Sequence, residues 1–359
     1  MRVLLTGAAG FVGSHVLRHL LARTDWEIVC PVSFRHKGLP ARVASAVCDT
    51  DWGKRVDIVH WDMRAPADPL TLHMFGDCDV IMNVASESHV DRSIAHPVDF
   101  VQNNVALMLH VLEVAREIRP RLFLQMSTDE VYGPAYGDHR HTEWETAVPS
   151  NPYSASKAAQ ESIAVSYWRT YDVPLVLTNT MNIIGETQDP EKFLPMVVRG
   201  LRDGLPITVH TALDGTPGSR FYLHARNLAD AWLYLTRRYT EAEPEVWTLG
   251  GDMIRIAMGP ARYGDGVTRP ERFHIVGERE VDNVELVRMV GEVMGLSDDY
   301  VRALVQPVSF HASRPGHDLR YALDGSRMAA FGWTPPVSLE KSLETTVRWS
   351  LDNPEWLAL

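Results

Sequence analysis

The chain opens with the short run Arg2-Val3-Leu4-Leu5-Thr6, which leads directly into Gly7-Ala8-Ala9-Gly10-Phe11-Val12-Gly13, after which Val16, Leu17, Leu20 and Leu21 recur at helical spacing. A strand, a glycine turn and an amphipathic helix in immediate succession leave few architectures open. The pattern calls for an α/β chain with a Rossmann-type doubly wound parallel sheet. The glycines allow a tight turn and close backbone approach, and the first N–H groups of the helix offer an anion site suited to a pyrophosphate. Gly7, Gly10, Phe11, Val12 and Gly13 are therefore expected to touch a dinucleotide. A turn that binds nothing would use the same glycines, and the place of this one at the first strand-to-helix junction argues for the ligand.

Strand patterns follow at Glu27–Val32, Val56–Trp61, Val80–Ala85, Leu122–Met126 and Pro174–Asn179, with helical patterns over about 98–118 and 153–171. An acidic residue usually ends the second strand of an NAD site and binds the ribose hydroxyls. Here the chain reads Val32-Ser33-Phe34-Arg35-His36-Lys37. Ser33 and Arg35 could hold a 2′-phosphate, so the cofactor reads as NAD or NADP with NADP ahead, although a solvated basic loop has the same composition. Asp62 and Met63 past the third strand, and Val84, Ala85 and Ser86 at the end of the fourth, extend the expected cofactor contacts. Beyond residue 180 the alternation loosens among Pro190, Pro195, Gly204, Pro206 and Gly215. Residues 1–180 are thus expected to form the dinucleotide-binding domain, with 225–246 packing back on it. Residues 181–359 are expected to form mainly a smaller C-terminal substrate-binding lobe.

The fifth strand pattern runs into Ser127-Thr128-Asp129-Glu130-Val131-Tyr132-Gly133. That position is the carboxyl edge of the sheet, where such folds hold ligands. Adjacent carboxylates there serve no packing purpose and invite proton transfer. Tyr153 and Lys157 are four residues apart and share one face of a helix. An ammonium beside a phenol favours the phenolate, which would make Tyr153 a proton acceptor. A solvated turn with an ordinary surface tyrosine and lysine is the alternative.

The 359 residues, 45% hydrophobic and 23% charged, suffice for a large core, and a net charge of -11 argues against nucleic acid as partner. Cys30, Cys48 and Cys78 form no Cys-x-x-Cys and read as buried thiols of a reducing compartment. The start at Met1 leaves no room for a signal peptide and no apolar run reaches spanning length, so a cytoplasmic protein with no membrane partner is expected. Between Gly133 and Pro152 lies Gly137-Asp138-His139-Arg140-His141. Alternate histidines beside acids can bind metal, but with no third ligand at a recognised spacing the segment reads as an exposed lid, without metal.

Taken together, Gly7 to Gly13, Glu87-Ser88-His89-Val90-Asp91-Arg92-Ser93-Ile94, Thr128-Asp129-Glu130, Ser150-Asn151-Pro152-Tyr153, Ser156-Lys157, Pro190-Glu191-Lys192 and Arg314-Pro315-Gly316-His317-Asp318 resemble the extended short-chain dehydrogenase/reductases. Within that family of NAD-dependent epimerases and dehydratases they are most similar to the dTDP-glucose 4,6-dehydratases, over nearly the whole chain. The resemblance implies a cofactor recycled within the reaction, with Thr128, Asp129, Glu130, Tyr153 and Lys157 catalytic and Asn103 at a family cofactor threonine. It implies a nucleotide-diphosphate sugar bound by Ser88, Thr128, Asn182, Glu191, Lys192, Arg220, Arg314, His317 and Tyr321, the two arginines clamping the diphosphate. It also implies a homodimer through the 98–118 and 153–171 helices. A family strand followed by two glycines can be matched to either Trp247-Thr248-Leu249-Gly250-Gly251 or Phe273-His274-Ile275-Val276-Gly277; the second is preferred because Asn283-Val284-Glu285-Leu286 continues the match, which makes roughly 247–270 an insertion, read as a hairpin over the substrate. The implied reaction is conversion of an NDP-hexose to its 4-keto-6-deoxy form. A sibling epimerase, decarboxylase or 5,6-dehydratase, or a non-catalytic dinucleotide sensor, would share much of this pattern.

Overall fold

The computed structural model describes residues 1–47, 50–241, 245–249, 252–256, 259–263, 266–309 and 318–358. Strands β1 (Arg2–Thr6), β2 (Glu27–Val32), β3 (Val56–His60), β4 (Val80–Asn83), β5 (Leu122–Thr128) and β6 (Leu175–Thr180) lie in one sheet, joined by a seventh strand, Glu271–Ile275. The order is Glu271 strand, β6, β5, β4, β1, β2, β3, and every pairing is parallel. Helices cover both faces of such a sheet, which is why the inner strands read as unbroken apolar runs. The edge strand β3 departs from this, exposing Asp57, Ile58 and His60.

Alternate residues of a strand reach opposite faces. Val3 and Leu5 pack with Val16, Leu20 and Trp232, under the first helix (Phe11–Arg23) and the Ala225–Thr240 helix. Leu4 packs on the other side with Leu112 and Trp168, under the Pro97–Ile118 and Pro152–Tyr171 helices. The Ala225–Thr240 helix lies against the first helix. A separate core of Ile184, Leu194, Val197, Leu286, Val290 and Val347 joins the Phe193–Asp203, Asn283–Val293 and Leu339–Asp352 helices. Cys30 and Cys78 are buried, and burial holds both thiols in the protonated form. Cys48 lies outside the described residues. Among the described residues no helix is long and apolar enough to cross a membrane.

The strand order reverses between β1 and β4, and the two strand ends are tied there. The Thr6 hydroxyl donates to Asn83 Oδ1 at 2.6 Å and accepts from the Val84 and Ala85 N–H groups at 3.1 Å. Ligands of open α/β sheets bind at this switch point.

The Glu271–Ile275 strand pairs in register with β6, Phe273 opposite Thr178. Glu245–Leu249 and Asp252–Ile256 do form an antiparallel hairpin. Beyond the hairpin the chain is tied to the Pro152–Tyr171 helix. Trp168 donates its indole N–H to the Ala261 carbonyl at 2.7 Å, and Tyr263 packs on Trp168 and Arg169. That anchorage is at the far end of the Pro152–Tyr171 helix, about 22 Å along its axis from Tyr153.

Candidate active site

A cleft of about 1380 Å³, counting its open mouth, runs along the carboxyl ends of β1, β2, β4 and β5. Every cofactor candidate named from the sequence lines it, from Gly7 and Ser33 through Asp62, Met63 and Asn103 to Lys157. Gly7 adopts a φ of +74°, and a Cβ on Gly13 would lie 2.1 Å from the Gly7 carbonyl, so neither position tolerates a side chain. No side chain caps the first helix at Gly10, which leaves its first-turn N–H groups to a ligand. Ser127 adds a buried hydroxyl on the cleft wall with no protein partner. These features fit a bound dinucleotide.

The basic loop after β2 differs from the sequence expectation. Arg35 is paired with Asp62 at 3.0 Å, His36 with Glu87 at 3.1 Å, and Lys37 lies 3.5 Å from Glu191 and 3.8 Å from Asp189. Bonds from Arg64 and the charge of Arg35 hold the Asp62 carboxyl well below the usual carboxylate range, against its partial burial. Each cation of the loop already faces a carboxylate. Sequence could not show this, because the partners lie far along the chain.

The reactive groups converge from two elements. β5 ends at Thr128, whose hydroxyl accepts from Glu130 N–H at 3.3 Å and starts a 3-10 turn over Asp129–Tyr132. The same hydroxyl donates to Asp129 Oδ1 at 2.9 Å. Asn151 caps the Pro152–Tyr171 helix in a reciprocal box with Ser154 and donates its amide to Glu130 Oε2 at 3.3 Å. One residue thus fixes both the helix carrying Tyr153 and the carboxylate of Glu130. From below, Asn179 donates to the Thr128 carbonyl at 3.0 Å and to Glu161 at 2.7 Å, and Glu161 is paired with Arg272 at 2.8 Å.

Burial, then the neighbouring Glu130 charge, pushes the Asp129 carboxyl up to about 7, against the hydrogen bond from Thr128. Burial also raises Glu130, but the Asn151 amide and the charges of Arg220 and Lys192 work to keep it ionised. Burial raises both carboxyls, and Glu130 has the fuller set of opposing partners, the Asn151 amide with Arg220 and Lys192, an asymmetry of the kind that an acid and a base require.

For the Tyr153 and Lys157 pair the structure corrects the expected mechanism of activation. Lys157 donates to the Met126 carbonyl at 2.9 Å and to Gln160 at 2.7 Å, and burial lowers its pKa to about 8. Burial, foremost, and the charges of Glu130 and Asp129 push the Tyr153 phenol upward, opposed by a hydrogen bond with Thr128. The four-residue spacing places both side chains on the cleft wall without making the lysine a direct partner of the phenol.

Of the expected substrate residues, Ser88, Glu191 and Lys192 line the cleft, and Lys192 donates to the Ser88 carbonyl at 3.3 Å. Arg220 does not stand free as a clamp. Its guanidinium donates to the carbonyls of Ser219, Asp318 and Leu319 and lies over the Tyr321 ring. Asn182 is exposed and off the cleft wall. Arg314 and His317 lie outside the described residues.

Against known proteins, residues 3–250 match the model of the NAD dependent epimerase/dehydratase family. The chain belongs to that family. It is 30% identical to a dTDP-glucose 4,6-dehydratase of Escherichia coli, over 99% of this chain and 95% of that protein. It is 33% identical to the low-salt glycan biosynthesis protein Agl12 of Haloferax volcanii, over 99% and 100%. Among solved structures, DesIV of Streptomyces venezuelae, a dTDP-glucose 4,6-dehydratase with NAD bound, is similar with a TM-score of 0.80 at 32% identity, over 99% and 98% of the two chains.

Sequence reading left out Ser127 and Asp189 of the cleft wall. Ser127 stood in plain view beside Thr128, but a serine in a polar stretch gives no sign that its hydroxyl will be buried and unpartnered. It also overlooked Glu145, which the structure brings to His139 and His141 at 3.0 and 2.8 Å as the third ligand-type group of that loop. His141 is buried, so the loop is not exposed throughout.

Proposed function

We propose that this protein is a nucleotide-sugar 4,6-dehydratase that converts an NDP-hexose to an NDP-4-keto-6-deoxyhexose with no net oxidation. What carries the reading is the pair of acids, Asp129 held by the Thr128 hydroxyl at 2.9 Å and Glu130 by the Asn151 amide at 3.3 Å, at the start of the helix that carries Tyr153. Eliminating water from a sugar needs a transient carbonyl together with separate base and acid groups.

Tyr153, hydrogen-bonded with Thr128, accepts the proton of the sugar 4-hydroxyl. When bound along the glycine turn, NAD would supply the acceptor for the C4 hydride and the hydride returned to C6. Lys157 contributes its own positive field from the same wall. Glu130, steadied by Asn151, removes the C5 proton that the 4-ketone has acidified. Asp129 delivers a proton to the departing 6-hydroxyl through Oδ2, a buried oxygen with no protein partner. Glu130 returns the proton to C5 as the hydride reaches C6, the proton Asp129 gives to the departing hydroxyl is balanced by the one Tyr153 took from the 4-hydroxyl, and the net loss is one water. Residues 1–180 with the Ala225–Thr240 helix hold the cofactor in this reading, and the separate core beyond residue 181 supports the sugar side. Relatives named as dTDP-glucose 4,6-dehydratases make a dTDP-hexose the first substrate to test.

Substrate deuterated at C4 is expected to yield a 4-keto-6-deoxy product carrying the label at C6, read by mass spectrometry and NMR. A turned-over product with unlabelled C6 overturns the proposal and leaves a sibling epimerase, decarboxylase or 5,6-dehydratase.

We further infer NAD in preference to NADP. A 2′-phosphate near Arg35 would meet the Asp62 carboxylate already paired there, and like charges in contact cost binding energy. Fluorescence titration should show NAD binding at least tenfold tighter, about 1.4 kcal/mol. Tighter binding of NADP would sink the inference.

A further inference from the structure

The loop between the Asp129–Tyr132 turn and the Pro152–Tyr171 helix gathers three ligand atoms away from the cleft. His139 Nε2 lies 3.0 Å and His141 Nδ1 2.8 Å from Glu145 Oε2, and the two ring nitrogens are 3.3 Å apart. The other carboxylate oxygen is held by Thr142, from its N–H at 2.8 Å and its hydroxyl at 3.1 Å. This leaves Oε2 aimed at both imidazoles. An ion with tetrahedral bonds of about 2.0–2.1 Å places its ligand atoms about 3.3 Å apart, close to the triangle observed.

The ligands are also held in place. The His141 backbone bridges to Leu323, accepting from Asp324 N–H at 2.8 Å and donating to the Ala322 carbonyl at 2.9 Å. Its ring stacks on Tyr132 with centroids 5.3 Å apart. The His139 carbonyl accepts from Arg320 at 2.7 Å. Such outer contacts orient metal ligands and sharpen affinity. The other His/Glu cluster among the described residues, His15, Glu186 and His224, is less suited. There His224 Nδ1 accepts from Arg226 N–H at 2.9 Å, and the Arg226 guanidinium lies 3.7 Å from Glu186, where it would repel a cation.

We propose that His139, His141 and Glu145 form a binding site for a zinc-class divalent ion, which fastens the loop to the turn carrying Asp129 and Glu130. Two nitrogens and one oxygen select zinc-like ions over magnesium or calcium, which prefer oxygen throughout. With His139 half exposed, a fourth position is open to water. The coupling to the turn runs through the His141 ring on Tyr132, the last residue of that turn.

Untagged, chelator-treated protein titrated calorimetrically with zinc chloride should bind one equivalent per chain and show a higher thermal midpoint with zinc, because the ion binds the folded form. Magnesium chloride should do neither. His139→Ala and Glu145→Gln should each weaken zinc binding at least tenfold while leaving the metal-free midpoint within about 1 °C of the parent, and His139→Cys should restore binding. Absence of saturable zinc binding overturns the proposal. So does stoichiometric binding that survives both His139→Ala and Glu145→Gln, and if His224→Gln abolishes it, the ion belongs to the His15 cluster.

Discussion

Glu130→Gln is expected to lower the rate of dehydration by about 10³-fold, near 4 kcal/mol of barrier, while the dissociation constant for NAD changes less than about twofold. Glutamine keeps the size of the side chain and can still accept from the Asn151 amide, which now reaches Oε2 at 3.3 Å. The helix cap and the turn after β5 should therefore stay in place. What disappears is the only charge change that matters to the C5 proton. The substitution also removes the negative neighbour that raises both Asp129 and Tyr153, so the phenol's part in opening the 4-ketone should not be impaired. Steady-state product formation and fluorescence titration with NAD separate the two quantities. Parallel loss of both would mean that Glu130 shapes the cofactor cleft and is not the base.

The parts of the molecule that were legible in the sequence are those where one short segment decides its own geometry. Gly7 to Gly13 required a turn with no side chains at two points, and the structure shows why in the 2.1 Å approach to the Gly7 carbonyl. The doubled apolar runs of β4, β5 and β6 could only be strands covered on both faces. The site was legible to the extent that its residues are contiguous, as in Thr128-Asp129-Glu130. It was not legible where a side chain's partner comes from elsewhere. Arg35 reads as a free cation until Asp62 is seen beside it. Lys157 reads as the partner of Tyr153 until its ammonium is found on Met126 and Gln160. Arg220 reads as a phosphate clamp until the carbonyls of Asp318 and Leu319 claim it. Glu145 joins His139 and His141 because the loop bends back on itself, and no helical or strand period announces that.

Asp129→Asn should make the fold less sensitive to alkaline conditions, an effect that follows from the sign of the carboxyl's displacement. Its pKa rises from the ordinary 3.8 to about 7 on folding, chiefly through burial and then through Glu130. Between those values the native state binds a proton that the unfolded chain has released, so stability falls as pH rises through this window. Above about pH 7 the native state must hold an ionised carboxylate with one oxygen, Oδ2, buried and without a partner. The full displacement corresponds to about 4 kcal/mol, of which about 3 kcal/mol should develop between about pH 5 and pH 8. Asparagine cannot ionise and can still accept the Thr128 hydroxyl through Oδ1. The thermal midpoint of the parent minus that of the variant should accordingly drop by about 4 °C from about pH 5 to about pH 8, for a chain of this size. Because the comparison is between two pH values, any fixed cost of burying the new amide cancels. Midpoints that shift in parallel across this range would show that Asp129 is already ionised at the acid end, and would remove it as the proton donor to the departing hydroxyl.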